Sequence, residues 1–352
     1  MITRFLDILR CPACADNGAS MTPKFLSTTA DGHIRDGLLR CDGCDAWYPI
    51  LDEVLELVPA VLIEEATVAS LRYHHGKAFD DLIGLAPAIG IGAAVPDVGE
   101  QLKQREHFDW YADNPDQTYA DYAEMPFWRA VDSVVMGHWR TQIPVGATLL
   151  DIACGPGRSA FPHAERAKVI GFDISRKAVK QAIDRARREG RAETMAFFVG
   201  DAAHLPIRAS SIEVVQTYGA LHHFPDPGRI ARAIQQILRT GGVHLGLENN
   251  ETVLRKAFDW LMTVCPIWVE EAGEEPLMSE RDLVEWTSGT GAVVQSRTMV
   301  FLPPHAFNLT RQFAVSVMRA TDAVCQLLPF ISHQGGLIAF EIRKPQAEGG
   351  AR

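Results

Sequence analysis

The segment from Thr148 to Asp173 constrains the fold of this chain most, because its pattern is a strand, a glycine turn, a helix and a second strand. The turn reads ACGPG, and its glycines, Gly155 and Gly157, lack the Cβ that would hinder a tight turn close to a ligand. A helix beginning near Gly157 would direct its free N–H groups toward that ligand. The pattern predicts a βαβ unit that binds a ligand at the turn.

Two carboxylates decide which ligand the turn would bind. Gly155-x-Gly157-x-x-Ala160 formally satisfies the dinucleotide fingerprint, and Asp173 at the end of the second strand suits a ribose diol. Asp151, four positions before the first glycine, would repel a pyrophosphate but suits a cationic group such as an ammonium. The pair of acids therefore favours a cationic nucleoside over NAD, and over a turn that binds nothing.

The segment resembles motif I of class I S-adenosylmethionine (SAM) methyltransferases, which reads acidic-x-x-x-Gly-x-Gly. The stretches DIACGPGR, GFDIS, GDAAHLP, ALHHFPD and LRTGGV, over about 145–248, together resemble the methyltransferases of ubiquinone and menaquinone biosynthesis and their small-molecule relatives. The resemblance implies an α/β fold: a Rossmann-like sheet of seven strands, the last antiparallel, with helices on both faces. It is specific for fold and cofactor, not for substrate.

The resemblance also implies which residues bind the cofactor. Asp173 would bind the ribose, and Asp201 the adenine amino group. Arg129, in a helix before the first strand of the domain, could pair with the carboxylate of SAM. The predicted set is Arg129, Asp151, Ala153, Cys154, Gly155, Gly157, Asp173, Ile174, Asp201, Ala202 and Tyr218. Nearby aromatic residues could close over the methionine end or simply pack against the sheet edge: Tyr111, Tyr119, Tyr122 and Trp128.

Catalysis by such a domain depends mainly on alignment, because the methyl group on a sulfonium is already activated. A base is needed only when the acceptor must lose a proton. His222 or His223, after the fourth strand, could be that base, although two adjacent histidines there also suit plain loop packing. No Asn/Asp-Pro-Pro-aromatic motif follows that strand, which disfavours a nucleic-acid base as acceptor.

Two cysteine pairs near the start of the chain have the spacing of a metal site. Cys11 and Cys14 form one C-x₂-C pair, and Cys41 and Cys44 form the other. Each pair can lie on a tight turn that directs both thiolates at one ion, and two such turns complete a tetrahedral zinc site. Four thiolates leave no open coordination position, so the zinc would be structural.

Residues 5–59 resemble the small zinc-ribbon proteins that activate RNA and protein methyltransferases. Those proteins act by binding methyltransferase domains, which implies that this ribbon supports the rest of the chain. Its many acidic residues leave no cationic surface to attract phosphate. It also carries more apolar residues than a unit this small can bury alone, and we expect these to pack on the methyltransferase domain: Trp47, Tyr48, Ile50, Leu51, Val54, Leu55 and Leu57.

Local patterns predict the remaining elements. Helices are expected over about 64–81, 100–111, 126–141, 175–189, 226–240, 251–264 and 279–288. Basic residues on the helix that follows Ser175 are interpreted as a solvated face: Arg176, Lys177, Lys180, Arg185, Arg187 and Arg188. Near the end of the chain, Asn308 is expected to cap a helix with an apolar face formed by Leu309, Phe313, Val317, Ala320, Val324 and Leu327.

These patterns divide the chain into a zinc ribbon (1–60), a helix and linker (61–105) and a methyltransferase domain (106–346) with a helical insertion at about 303–333. The insertion could be a lid, a dimer surface or a membrane-surface helix. The last is least favoured, because the polar face is not notably basic.

The sequence as a whole predicts a cytoplasmic, SAM-dependent methyltransferase that acts on a small molecule, and it leaves a homodimer open. It shows no signal-peptide pattern and no run of about 18 uncharged apolar residues, so no membrane span is expected. A net charge of −10 argues against a nucleic-acid partner. Two other functions stay open: an RNA methyltransferase whose ribbon binds RNA, and a non-catalytic scaffold that only binds SAM.

Overall fold

The computed structural model describes residues 2–14, 18–84, 98–114, 124–267 and 276–346. They form two compact units. The first contains residues 1–110, 150–164 and 168–212, and the second contains 111–149, 165–167 and 213–352. No helix in the described ranges is long and apolar enough to cross a membrane.

The ribbon is a four-stranded antiparallel meander. Its strands are β1 (Met21–Thr28), β2 (Ile34–Cys41), β3 (Trp47–Leu51) and β4 (Val54–Leu57). The turn between β3 and β4 consists of Asp52 and Glu53, both at positive φ (50° and 69°). That backbone conformation matches the twist of a two-residue hairpin. We refer to β3, this turn and β4 as the ribbon hairpin.

The ribbon sheet continues directly into the sheet of the predicted methyltransferase domain. β4 pairs in parallel with β7 (Met195–Gly200), with Glu56 opposite Val199 and Leu57 opposite Gly200. The remaining strands of the first unit are β5 (Thr148–Ile152) and β6 (Lys168–Asp173). The strand order in this unit is therefore β1-β2-β3-β4-β7-β6-β5.

Helices cover the ribbon sheet and the strands β6 and β7. The first unit contains α1 (Glu65–His75), α2 (Lys77–Ile83), most of α3 (Gly99–Asp113) and, after β6, the helix α5 (Arg176–Arg188). α4 (Pro126–Gln142) belongs to the second unit. A buried cluster of Leu38 and Trp47 from the ribbon with Leu71 and Phe79 from α1 and α2 joins ribbon and helices.

The second unit completes the predicted α/β pattern. Its strands are β8 (Ile212–Tyr218), β9 (Leu238–Asn249), β10 (Val293–Met299) and β11 (Leu337–Arg343). β11 runs antiparallel to both β9 and β10, as predicted for the last strand. Its helices are α6 (Pro227–Ile237), α7 (Val253–Val264), α8 (Glu280–Trp286), α9 (Pro304–Thr310) and α10 (Ala314–Gln326). The seven strands expected for the methyltransferase part, β5 to β11, are all present.

Several local predictions were wrong for identifiable reasons. Turns follow Gly157, and a 3₁₀ helix spans Phe161–His163 where an α-helix was expected, because Pro162 lacks the N–H that an α-helix would need. The helix predicted over 64–81 is broken at Gly76, which has a φ of 47°. The helix predicted to reach residue 240 ends at Ile237, because Leu238 is extended and begins β9.

The insertion also differs from its prediction. Asn308 lies inside α9 and caps nothing, while its side-chain oxygen accepts a hydrogen bond from the backbone N–H of Phe127 (3.3 Å). The expected apolar face points largely outward: Leu309 is 84% exposed and Leu327 81%. Ala314 and Met318 are the buried residues of α10.

We predict that residues 61–352 expressed without the ribbon are less stable than the whole chain. Removing β4 would expose the edge of β7 and remove three fully buried side chains, Val54, Leu55 and Leu57. Each contributes roughly 1.5–3 kcal/mol when buried. A lower melting temperature, restored by adding residues 1–60 in trans, is the expected result. Equal stability of the two proteins would contradict it.

Candidate functional site

The glycine turn has a backbone that few other residues would allow. Ala153, Gly155 and Gly157 all have positive φ, at 57°, 50° and 89°. A Cβ on Gly157 would lie 2.6 Å from the ring of Phe161, so any other residue would force this ring to move. The predicted site residue Cys154 is buried beside them, and its backbone N–H donates to the carbonyl of Phe172 (3.0 Å).

Asp173 connects the glycine turn to the start of α5. Its Oδ2 accepts a hydrogen bond from the backbone N–H of Gly155 (2.8 Å), and its Oδ1 accepts one from the N–H of Ser175 (2.9 Å). Ser175 also caps α5, because its hydroxyl accepts from the N–H of Ala178 (3.1 Å). Asp109 of α3 accepts a hydrogen bond from the Ser175 hydroxyl (2.5 Å). The carboxylate predicted to bind ribose is therefore held in one orientation.

Asp151 and Asp201 lie at the ends of strands in the same unit. Asp151 is fully buried, and its Oδ2 accepts a hydrogen bond from the hydroxyl of Ser159 (2.8 Å). Asp201 directly follows β7 and is also buried; its Oδ1 accepts from the N–H of Ala203 (2.9 Å), and its Oδ2 lies 2.6 Å from Nδ1 of His204. The sequence interpretation missed Ser159 and His204, although His204 lies inside the quoted GDAAHLP stretch.

These residues fit a bound nucleoside with a cationic tail. The turn presents backbone where side chains would intrude, and buried carboxylates follow β6 and β7. Ile174 and Ala202 adjoin the acids Asp173 and Asp201 in the chain. The individual cofactor contacts of all the predicted residues stay predictions.

The second unit contains a buried histidine–carboxylate pair. Nδ1 of His222 lies 2.7 Å from Oε2 of Glu248, whose side chain is fully buried at the end of β9. The other oxygen of Glu248 accepts hydrogen bonds from the N–H groups of Ala220 (3.0 Å) and Leu221 (2.7 Å). Three donors thus fix this carboxylate, and the carboxylate fixes the imidazole of His222. The signal for Glu248 was its position after the apolar strand Val243 to Leu247.

Other predicted residues of the second unit occupy varied environments. The hydroxyl of Tyr218 donates to Asp132 (2.6 Å). Arg129 has a side chain that is 65% exposed and lies 3.9 Å from Glu124. The ring of His223 lies 4.0 Å from that of His222. Tyr111 is buried and Trp128 partly buried, whereas Tyr119 and Tyr122 lie outside the described residues.

The four ribbon cysteines come together as predicted. The sulfurs of Cys11, Cys14, Cys41 and Cys44 all lie within 4.8 Å of one another, with 3.7 Å between Cys11 and Cys44 and 3.8 Å between Cys14 and Cys41. Tetrahedral bonds of about 2.3 Å to zinc place neighbouring sulfurs about 3.8 Å apart, so the cluster fits that ion. Burial raises the pKa of the Cys11 thiol to about 11, so a cation is needed to hold this sulfur as a thiolate at neutral pH.

Tyr48 makes a contact to this cluster that the sequence interpretation did not anticipate. Its hydroxyl lies 2.9 Å from the sulfur of Cys11 and accepts a hydrogen bond from the backbone N–H of Ala13 (3.2 Å). Burial raises the pKa of Tyr48, so the phenol keeps its proton. A metal-bound thiolate has no proton to donate, so toward such a sulfur the Tyr48 hydroxyl would be the donor. Such a hydrogen bond stabilises a metal-bound thiolate.

Comparison with known proteins places the methyltransferase signature on the glycine turn and the strands that follow. A family profile described as a methyltransferase domain matches residues 149–242. Methyltransferase GfsG of Streptomyces halstedii is 31% identical over 182 residues, which cover 47% of this chain and 65% of that protein. 27-O-demethylrifamycin SV methyltransferase of Amycolatopsis mediterranei is 31% identical over 147 residues, covering 38% of this chain and 54% of that protein. The chain thus spans between half and two thirds of these relatives.

Solved structures give matches of the same kind. A complex of the Haloferax volcanii Trm112 methyltransferase activator with a methyltransferase aligns at a TM-score of 0.47 and 17% identity, covering 70% of this chain and 99% of that one. The sequence-based identification of a class I methyltransferase domain is confirmed by the family profile and the two relatives.

We predict that the whole chain binds one zinc ion through the four ribbon cysteines. Replacing Cys41 and Cys44 by Ser should abolish the metal, because two remaining thiolates cannot complete a tetrahedral site. Elemental analysis of protein purified without chelator measures this, with Cys265→Ser/Cys325→Ser as the control pair outside the cluster. Zinc retained by the ribbon variant would contradict the assignment.

We also predict that Tyr48→Phe weakens zinc binding by roughly 10- to 100-fold, the usual effect of losing a hydrogen bond to a metal ligand. The ring stays, so the ribbon core keeps its packing. Competition with a chromogenic chelator gives the affinity. Tyr73→Phe, which alters an exposed ring on α1, is the matched control and should leave it unchanged. Equal affinities for both variants would show that the Tyr48 hydroxyl plays no part.

Proposed function

Because residues 149–242 form a class I methyltransferase domain, we propose that this protein transfers a methyl group from SAM to a small-molecule acceptor. One observation carries the proposal most directly: the backbone of Gly155 and the carboxylate of Asp173 are joined by a hydrogen bond of 2.8 Å. This hydrogen bond links the glycine turn, where the missing Cβ atoms leave room for a ligand, to Asp173, the acid that suits a ribose. The name of one relative gives 27-O-demethylrifamycin SV as its acceptor, which supports a small-molecule acceptor here.

The chain's own residues would hold the cofactor through three carboxylates. Asp173 would accept hydrogen bonds from the ribose hydroxyls, and Asp201 would accept one from the adenine amino group. Asp151, buried behind the turn and bonded to Ser159, would attract the cationic methionine end through the field of its charge. SAM, when bound, supplies a methyl group on a positively charged sulfur that needs no further activation.

His222 is suited to act as the general base for a hydroxyl acceptor. Its Nδ1 faces Glu248, so this nitrogen carries the hydrogen and Nε2 would take up the acceptor's proton. The buried charge of Glu248 would then stabilise the imidazolium that forms. Nε2 would hold the proton that an acceptor hydroxyl gives up, which would leave the acceptor oxygen as the nucleophile. This pair favours an oxygen acceptor over one that needs no base.

Binding of SAM is the first test of this proposal. We predict that the whole chain binds SAM and not NAD in titration calorimetry. Asp173→Ala should weaken SAM binding by on the order of 1.5–3 kcal/mol, the usual contribution of a hydrogen bond to a charged group. Asp81→Ala, an exposed acid on α2, should have no effect. Tight NAD binding without SAM binding would overturn the proposal.

The acceptor class is the second test. Incubation with radiolabelled SAM and cell extract, divided into RNA, protein and small-molecule fractions, should label the small molecules. Label confined to RNA would favour the alternative in which the ribbon binds RNA. SAM binding without label in any fraction would favour a non-catalytic scaffold.

We further predict that His222→Gln lowers kcat for the labelled fraction by roughly 10²–10⁴-fold, as expected when a general base is lost. Glu248→Gln should also lower kcat, because its neutral amide cannot accept from all three donors and no longer stabilises the imidazolium. His223→Gln is the matched control beside the site and should be close to the parent. A larger loss in His223→Gln than in His222→Gln would reassign the base.

A further inference from the structure

The basic face of α5 binds the ribbon hairpin along its length. Arg176, at the first position of the helix, donates to the carbonyl of Leu51 (2.8 Å), and its Nε lies 3.7 Å from Glu56. In the middle of the helix, Lys180 lies 3.0 Å from Asp52. At the other end, both terminal nitrogens of Arg187 donate to the carboxylate of Glu53. Three of the six basic residues that were predicted to form a solvated face therefore bind the ribbon hairpin, whereas Lys177 and Arg188 are exposed as predicted.

The contact at the first end of α5 is the more deeply buried one. The side chain of Arg176 is 16% exposed and that of Glu56 only 1%, compared with 37% for Arg187. Glu56 also accepts hydrogen bonds from the N–H of Glu64 (2.9 Å) and the hydroxyl of Thr67. Its position is therefore fixed by β4 on one side and by the start of α1 on the other. Because Glu56 is fixed on both sides, it can in turn fix the side chain of Arg176.

Arg176 is also the residue next to the cap that orients the ribose-binding acid. Ser175 donates its N–H to Oδ1 of Asp173 (2.9 Å), and Oδ2 of Asp173 accepts from Gly155. A continuous set of contacts therefore runs from Glu56 of the ribbon through Arg176 and Ser175 to Asp173 and the glycine turn. Arg187 lies 11 positions further along the same helix, at the end remote from Asp173.

We propose that Arg176 is a positioning residue, through which the docked ribbon holds Asp173 in the orientation that binds the ribose of SAM. The proposal rests on the proposed function, in which Asp173 contacts that ribose. It assigns the ribbon a role in cofactor affinity that is separate from its role in stability. Arg187 contributes to the stability of the docked ribbon but not to cofactor affinity.

The test compares the same substitution at the two ends of α5. We expect Arg176→Gln to weaken binding of S-adenosylhomocysteine to the full chain by roughly three- to thirtyfold, the range of energetic coupling through neighbouring contacts. Arg187→Gln should change this affinity by less than about twofold. So small a change in binding free energy would indicate no coupling between Arg187 and the site. Both variants should lower the melting temperature, because each leaves a buried carboxylate of the ribbon hairpin without its cation. Calorimetric titration and thermal unfolding measure the two effects.

A second variant tests whether misfolding causes the loss of binding, because Arg176→Gln leaves Glu56 buried without its cation. The double variant Glu56→Gln/Arg176→Gln removes both charges and should show the same weakened binding at a recovered melting temperature. Arg176→Lys should bind with intermediate affinity. Equal losses of affinity in Arg176→Gln and Arg187→Gln would overturn the proposal, as would parental affinity in the double variant. If the parent protein binds no S-adenosylhomocysteine, the proposed function itself fails.

Discussion

The parallel pairing of β4 with β7 is the contact on which the first unit depends. Through Glu56–Val199 and Leu57–Gly200, the ribbon becomes part of the sheet that carries the acids predicted to bind the cofactor. A parallel strand needs cover on both faces, and the ribbon residues from Val54 to Leu57 are accordingly buried throughout. The apolar excess noted in the sequence is explained by this pairing and by the cluster of Trp47 with α1 and α2. The ribbon strands and the strands β6 and β7 therefore belong to one compact unit.

Much of the fold follows from local sequence, because its strongest signals are local. The glycine turn, the acid at the end of β6 and each C-x₂-C pair are patterns of only a few consecutive residues. The local backbone therefore determines where their side chains lie. Glu248 and Asp109 were missed for the opposite reason. Glu248 contacts His222 across 26 positions of the chain and Asp109 contacts Ser175 across 66, and no pattern within a single element records such distances.

The insertion shows a second limit of sequence analysis. The spacing of Phe313, Val317 and Val324 predicts an apolar face on a helix, and the helix is present as α10. Periodicity identifies the stripe but not the side that it faces. Here the carboxylate of Asp322 is partly buried and accepts a hydrogen bond from the N–H of Val300 (3.1 Å), while Val324 is 59% exposed. Burial raises the pKa of Asp322 to about 6, because a carboxylate loses hydration there.

The basic face of α5 shows how the same charges can serve two purposes. Ion pairs at half-exposed positions add little net stability, because hydration is lost as the attraction is gained. Burial of Val54, Leu55 and Leu57 therefore supplies most of the energy that holds the ribbon, while the pairs fix where the hairpin lies along the helix. Because β4 pairs with β7 through two residues, Glu56 and Leu57, this pairing alone leaves the angle between the ribbon hairpin and α5 poorly defined. Arg176 and Arg187, at opposite ends of α5, define that angle, and the end that is better buried is the one next to Asp173.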